Sequence, residues 1–461
     1  MKPFNPGGHA AYQERVLTQL RKYYPDAVSS LPASTWDILE KFWALDLSEL
    51  DSLMQDRYSV FGPAPRLPSD MLRSLLLSVE FKVSSYTKWA ADLKENHLHA
   101  ILSGFFIGDT PGTGTFYDFL GRLWLSDKDN FSDPAHPPKE KPKKPDKKGG
   151  KAPSVEKVTV KDLFQQFEAA PPTDMEPCRL LYDIFKVLFL EHSVQDGLID
   201  LLSLSLAGDG TPVYTAAQER KKRSCDCLEK GIHDCKCNRI YSQPDCDIGW
   251  DSHRDRYYFG YDLYMLTAAD SKNDLPVFPF LSPASRHDSI GFLYNWFSMK
   301  PFLPEAVVTK LLLDSAHDAM PYYEYCRNHG IVPFIDLNAD RGRPPVYKDD
   351  FTINHDGVPV CREGHVMRRD GTEPAKGRTK FKCPKISFAG GSVTCTCENP
   401  CSTAKYGRTI HLVLKDNPRL FNDPPRSSKE WKREYNARTS AERCNKREKV
   451  DYKLEDGRYR S

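Results

Sequence analysis

The chain has 461 residues, 65 Lys plus Arg against 63 Asp plus Glu, and 13 cysteines. At about 100 to 200 residues per domain this is enough for roughly three domains with a sizeable core, and no stretch approaches the roughly 18 uninterrupted apolar residues of a membrane span, which argues against an integral membrane protein. The opening MKPFNPGGHAAYQER lacks the apolar centre of a secretory signal, so the cysteines are expected in a reducing cytosol, as thiols or metal ligands rather than disulfides.

The first 125 residues carry helical apolar spacing at Trp36, Leu39, Phe42 and Trp43, and again at Leu72, Leu75, Leu76 and Val79; Pro68 and Ser69 suit a helix start. An all-α N-terminal domain over 1–125 follows. Residues 126–157 are rich in Pro, Lys, Asp and Gly, and read as a flexible basic linker.

From 158 the pattern changes. Helical periodicity at 160–167 and 180–190 gives way to an alternating strand from Leu202 that ends on an acidic turn at Ala207 to Gly210. Further strands are expected at 257–266 and 275–281, a helix at 288–299, a strand at 307–313 ending at Asp314, a helix at 319–328 and a strand at 331–337. The order β-β-β-α-β-α matches a ribonuclease H-like α/β core over 158–338 and 409–461, in which the first and fourth strands are neighbours and their carboxylates, Asp209 and Asp314, converge. Residues 339–408, with Gly, Pro, Cys and short β-like runs, read as a β-rich cysteine-containing insertion, since a structureless loop of that length is improbable.

The net charge of +2 conceals three blocks, 138–151, 362–385 and 426–460, each net +5, against a remainder of −13. Such blocks are often solvated surface; three in one chain also suit backbone-phosphate contacts.

Near the C-terminus, KEWKREYNARTSAERCNKREKVDY is polar around most of its circumference. If it is one helix, Tyr435, Arg438, Glu442 and Lys449 share a face, a carboxylate flanked by two cations and a phenol. Tyr435 has an ordinary alternative, packing on Trp431 one turn earlier. The spacing Tyr-x2-Arg-x3-Glu-x6-Lys resembles the signature of a large group of bacterial insertion-sequence DDE transposases. Asp209 in AGDGTPV and Asp314 in LLLDSAHD resemble that family's two catalytic aspartates, and GPAPRLPSDMLRSLLL and DTPGTGTFYDFLGRLW look like its helical N-terminal domain.

The resemblance implies a triad of Asp209, Asp314 and Glu442 holding Mg²⁺ or Mn²⁺ for cleavage of transposon ends and strand transfer into target DNA. It implies DNA contacts by Tyr435, Arg438 and Lys449, double-stranded terminal inverted repeats as partners, a homodimer pairing two ends, and a bacterial, cytoplasmic, nucleoid-associated location. The alternatives are a nuclease of the same fold without strand transfer, and a catalytically inactive or co-opted zinc-stabilised DNA-binding protein.

Two cysteine groups remain. Cys225, Cys227, Cys235 and Cys237 form C-x-C-x7-C-x-C, four thiols able to close a tetrahedral Zn²⁺ site, with free thiols or a redox-sensitive hairpin as the alternatives. Cys361, Cys383, Cys395, Cys397 and Cys401, with His365 nearby, are irregularly spaced; a structural Zn²⁺ is equally compatible there, with no ligand set singled out. The basic run Arg368 to Lys385 would then face DNA.

Overall fold

The computed structural model describes residues 7–26, 31–59, 61–124, 158–173, 178–215, 222–223, 225–235, 239–240, 246–338, 346–347, 351–354, 356–389, 392–404 and 406–454. The expected linker at 126–157 therefore lies wholly outside the described residues, and so does Cys237.

The N-terminal region is helical as its periodicity predicts: α1 (Gly8–Tyr23), α2 (Ala33–Ala44), α3 (Glu49–Leu53), α4 (Pro68–Glu80), α5 (Tyr86–Glu95), α6 (His97–Ser103) and α7 (Thr113–Arg122). Pro68 occupies the first turn of α4, where its missing N–H costs nothing. These helices share a core that includes Leu47, Leu77, Trp89, Ile101 and Phe116. Polar order is built in as well: buried Asp70 receives both Arg15 (2.8 and 2.9 Å) and Arg73 (3.2 Å).

After α8 (Val160–Ala169), α9 (Arg179–Phe185) passes through one π turn (Lys186–Leu190) into α10 (Glu191–Gln195). The chain then builds a mixed sheet. β1 (Leu204–Tyr214) is followed by the short pair β2 (Lys222–Arg223) and β3 (Arg239–Ile240), then β4 (Asp247–Asp251), β5 (Arg256–Ala268), β6 (Pro276–Pro283), α11 (Asp288–Phe302), β7 (Val308–Leu313), α12 (Met320–Asn328) and β8 (Val332–Ile335). The sheet runs β4-β5-β1-β7-β8, with β6 also on β5; β1 pairs antiparallel with β5 and parallel with β7. The expected neighbours, first and fourth main strands, are thus side by side. β4 was not legible in the alternation.

One difference bears on the site. The sequence predicts that the first strand ends near Asp209; instead β1 continues to Tyr214, because the 13-residue β5 offers partners for all of it, from Leu206↔Ala268 to Tyr214↔Gly260. Asp209 is an interior strand residue.

The two faces of the sheet are distinct. Leu204 and Leu206 of β1 join Leu311, Leu313 and Ile335 in the main core under α8 and α11, with Phe292, Trp296 and Tyr322. Ala207 and Leu312 face the other way, toward Phe334, Trp431 and Ala441.

Beyond Asn338 the chain forms small antiparallel sheets: β9 (Val346–Tyr347), β10 (Phe351–Ile353) and β11 (Pro359–Cys361); β12 (Arg368–Glu373), β13 (Arg378–Lys382) and β16 (Thr409–Val413); and the hairpin β14 (Ile386–Ala389) with β15 (Ser392–Cys395). β16 pairs with β13, so the β-rich module runs five residues past the predicted boundary at 408. Arg419 then reaches buried Asp318 (2.6 and 2.8 Å), and Arg426, 4% exposed, donates to Ile335 O (3.0 Å), Arg419 O (2.8 Å) and Tyr323 Oη (3.0 Å), tying the returning segment to the sheet.

The signature segment is two helices rather than one: α13 (Lys429–Asn436) and α14 (Thr439–Lys446), the latter continued by a π turn (Arg447–Asp451). At the join the bonds tighten to three-residue spacing (Arg438 N to Tyr435 O, Ala441 N to Arg438 O), and the Thr439 hydroxyl takes Asn436 O at 2.9 Å. The single-face reckoning over Tyr435 to Lys449 therefore does not hold across the whole segment. No helix among the described residues is long and apolar enough to cross a membrane.

Candidate functional site

Strand register decides where the two aspartates lie. The last parallel pair is Ala207↔Leu312. Two residues further along each chain stand Asp209, within β1, and Asp314, the extended residue just past the end of β7, on the same face as that pair because side chains alternate along extended backbone. That face is the one covered by α13 and α14. Trp431 packs on Phe334 with ring centres 6.2 Å apart, Ala441 is fully buried, and Ser440 Oγ lies 3.0 Å from Thr267 Oγ1. Arg443 grips Asp274 with two bonds of 2.6 and 2.8 Å, Arg447 takes Asp274 O at 2.6 Å, and Lys310 pairs with Glu434.

The two aspartates differ electrostatically. Burial pushes the Asp209 carboxyl up to about 6, and the negative charges of Asp288 and Asp314 add to it; Arg438 and a 3.0 Å hydrogen bond from Asn445 Nδ2 only partly offset them. For Asp314 burial also acts upward, but the His317 ring at 2.6 Å and the Ala316 N–H at 3.1 Å outweigh it and hold the carboxyl below its ordinary value. His317 is itself buried and shares its other nitrogen with Tyr264 Oη at 2.9 Å. With Nδ1–H donating to Asp314, Nε2 accepts from the tyrosine, a relay that fixes the ring orientation.

Sequence reasoning missed Asp262, Asp288, His317 and Asn445. A Cβ on Gly210 would stand 2.9 Å from Asp262 Oδ2 and 3.0 Å from Asp288 Oδ1, and one on Gly208 would stand 2.7 Å from Tyr264 Oη. The AGDG motif thus brackets Asp209 with two residues whose missing side chains leave room for an acidic and phenolic layer beneath. Asp262 is 6% exposed, its Oδ2 has no hydrogen-bond partner, and burial followed by Asp288 and Asp209 raises its carboxyl well above the usual range, opposed by Lys449. The glycines were the available signal; the positions filling their space come from β5 and α11 and could not be read from spacing.

Glu442 sits on α14 with its side chain 48% exposed and bound to Arg438 at 2.6 Å. Arg438 also lies 5.6 Å from the Tyr435 ring centre. Tyr435 stacks on Trp431 (4.5 Å, 18° between planes), the ordinary packing alternative, and burial raises its phenol to about 12. Lys449, in the π turn, acts on the Asp262 carboxylate. The structure thus brings Asp209 and Asp314 level and places Arg438 within electrostatic reach of both, while Asp209, Asp314 and Glu442 do not have their oxygens all within 4.8 Å of one another.

Among the described residues, one group of three meets that spacing: Cys225, Cys227 and Cys235, with Cys225 and Cys235 sulphurs 3.6 Å apart. This cluster is able to hold a metal ion such as zinc. In the insertion, the expected DNA-facing basic run is largely paired internally: Lys380 and Lys382 with Asp370, Arg378 and Lys376 with Glu373, and Arg369 with Asp423. Comparison with family models, curated proteins and solved structures returns no match.

Proposed function

We propose that the chain is a DNA transposase of the DDE type, with a ribonuclease H-like core. The observation that carries this reading is the β1–β7 register, which sets Asp209 and Asp314 level on the face that α13 and α14 cover, with Glu442 and Arg438 on those helices. The strand order, with β6 and β5 antiparallel and β1, β7 and β8 parallel, supports the same fold.

All three donors are carboxylates, hard oxygen ligands that suit Mg²⁺ or Mn²⁺, and the upward shift of Asp209 comes first from burial and then from the negative charges of Asp288 and Asp314, a charge that a cation would relieve. Bound there, the ions would supply activation of a water or 3′-hydroxyl and stabilisation of the leaving oxygen. The chain's own residues do the rest. His317 and the Ala316 N–H keep Asp314 ionised and oriented, Asn445 orients Asp209, and Arg438 is the cation that exchanges Glu442 for a DNA phosphate when the carboxylate is recruited. Tyr435 offers its hydroxyl edge while its ring stays on Trp431. The partners in this reading are double-stranded transposon ends and target DNA, held by a pair of protomers in a bacterial cytoplasm.

Asp209→Asn, Asp314→Asn and Glu442→Gln should each abolish Mg²⁺- or Mn²⁺-dependent cleavage of DNA carrying the element's inverted repeats while DNA binding is retained; cleavage surviving in any one of them overturns the triad. A precleaved end with a free 3′-hydroxyl separates transposase from nuclease, since only the former joins it to target. The Arg438–Glu442 pair favours one alternative, a zinc-stabilised DNA-binding protein without catalysis, and binding without cleavage in either metal would identify it.

A further inference from the structure

The five cysteines of the insertion come from separate places in its chain. Cys361 ends β11, Cys383 follows β13, Cys395 ends β15, and Cys397 and Cys401 lie beyond it. They nevertheless surround one small cavity, together with His365. Two turns aim the sulphurs inward. Gly364, with φ +75°, lets its N–H donate to Cys361 O at 2.9 Å while Cys361 N–H donates to His365 O at 3.1 Å; after Pro384, the Lys385 N–H is directed at the Cys383 sulphur. Cys383 is within electrostatic reach of Cys361, Cys395 and Cys397, and Cys401 of Cys361 and Cys383. Gly407 closes the wall, since a Cβ there would stand 2.4 Å from Ile386 Cγ1.

Packing alone does not account for this convergence. Among the described residues the insertion buries one small apolar cluster, with Phe351, Met367, Phe381 and Ile410 at its centre, and none of the cysteines belongs to it. A module of this size with so little core needs a staple. Free thiols with backbone N–H donors aimed at them are the usual surroundings of a thiolate-bound metal.

We propose that this cavity is a soft-metal site that takes zinc on the thiolates of Cys361, Cys383 and Cys401, with the fourth ligand drawn from the Cys395–Cys397 pair. Cys361, Cys383 and Cys401 interact with one another, and Cys395 and Cys397, at the end of β15 and two residues past it, both act on Cys383 and offer interchangeable sulphurs. The sulphurs stand around the cavity more widely than those of Cys225, Cys227 and Cys235, so metal binding contracts the ring to Zn–S distances of about 2.3 Å. The consequence is mechanical: the ion would join β11, the end of β13 and the β14–β15 hairpin, which belong to three separate small sheets.

The test uses the full-length chain carrying Cys225→Ser and Cys227→Ser, so that the other cluster does not contribute. Stripped of metal and titrated with Co²⁺, it should take up one equivalent and develop the intense visible bands of a tetrahedral thiolate site. Adding Cys361→Ser, Cys383→Ser or Cys401→Ser should remove those bands; Cys395→Ser and Cys397→Ser should each keep them, and only the two together should lose them. Absence of cobalt uptake by the parent chain, or uptake unchanged when Cys361 and Cys383 are both replaced, overturns the proposal. Because a substituted insertion can fail to fold, alkylation of the parent chain is read in parallel. Zinc should protect Cys361, Cys383 and Cys401, and equal labelling with and without zinc also overturns it. Neither outcome depends on transposase activity.

Discussion

The sheet that carries Asp209 and Asp314 and the insertion that carries five cysteines hold their functional groups by opposite means. In the sheet, β1 is hydrogen-bonded on both edges, and its apolar alternate residues lock into a core shared with α8, α11 and α12. In the insertion, two- and three-stranded sheets cover one small apolar cluster, and the groups converge through turns. In the proposed sites, oxygen ligands would therefore stand at places fixed by the fold, and sulphur ligands where a metal would complete it.

Hydrogen exchange gives the widest margin for breaking this contrast. Amides of β1 and β7 should exchange on the order of a thousandfold more slowly than those of β14 and β15, because an isolated hairpin is marginal in water; comparable rates in both would remove the distinction. Arg426→Ala tests the seam between the regions. It strips donors from Ile335 O, Arg419 O and Tyr323 Oη inside the protein, and should cost about 3 to 5 kcal/mol in chemical unfolding.

The Asp209 carboxyl sharpens the sheet side. Its pKa is raised from 3.8 to about 6 on folding, so the folded state holds the proton more tightly than the unfolded chain and stability falls as pH rises from about 4 to 6. Asp209→Asn should remove that fall, gaining at most about 3 kcal/mol at pH 7 relative to pH 4, and less to the extent that water reaches the carboxylate. Equal pH profiles in the two proteins would show that the site is not electrostatically loaded. Gly210→Ala should cost about 1 to 2 kcal/mol, since its Cβ meets Asp262 and Asp288. The smallest effect is Tyr435→Phe: the ring stack on Trp431 survives, so stability should move by less than about 0.5 kcal/mol, whereas binding to inverted-repeat DNA should weaken if the hydroxyl is a contact.

Much of the scaffold was legible. The alternation at Leu204 and Leu206, the apolar run up to Leu313 and the apolar stretch of α11 marked those elements, while the first-to-fourth strand adjacency followed from matching their order to a ribonuclease H-like core. Length was not legible for β1: its extension to Tyr214 depends on β5, a non-local partner. Nor was the break at Ala437–Arg438, where the Thr439 hydroxyl bonds Asn436 O in competition with a continuous helix. At the site, Asp209 and Asp314 stand out by their place after apolar strands. Asp262 and Asp288 do not, since nothing local marks the residue that will fill the space above a distant glycine. The cysteine spacing in the insertion was irregular for the same reason: its order is spatial.

The interior position of Asp209 has a last consequence. A residue paired with Met265 in the middle of the long β1–β5 ladder cannot shift toward a ligand without unzipping that pairing, so the distance between the carboxylates is not set from that end. In the proposed triad, adjustment would belong to Glu442, on an exposed helix turn between the join at Ala437–Arg438 and the π turn at Arg447–Asp451. In the proposed site the sheet would be the anvil and α14 the jaw.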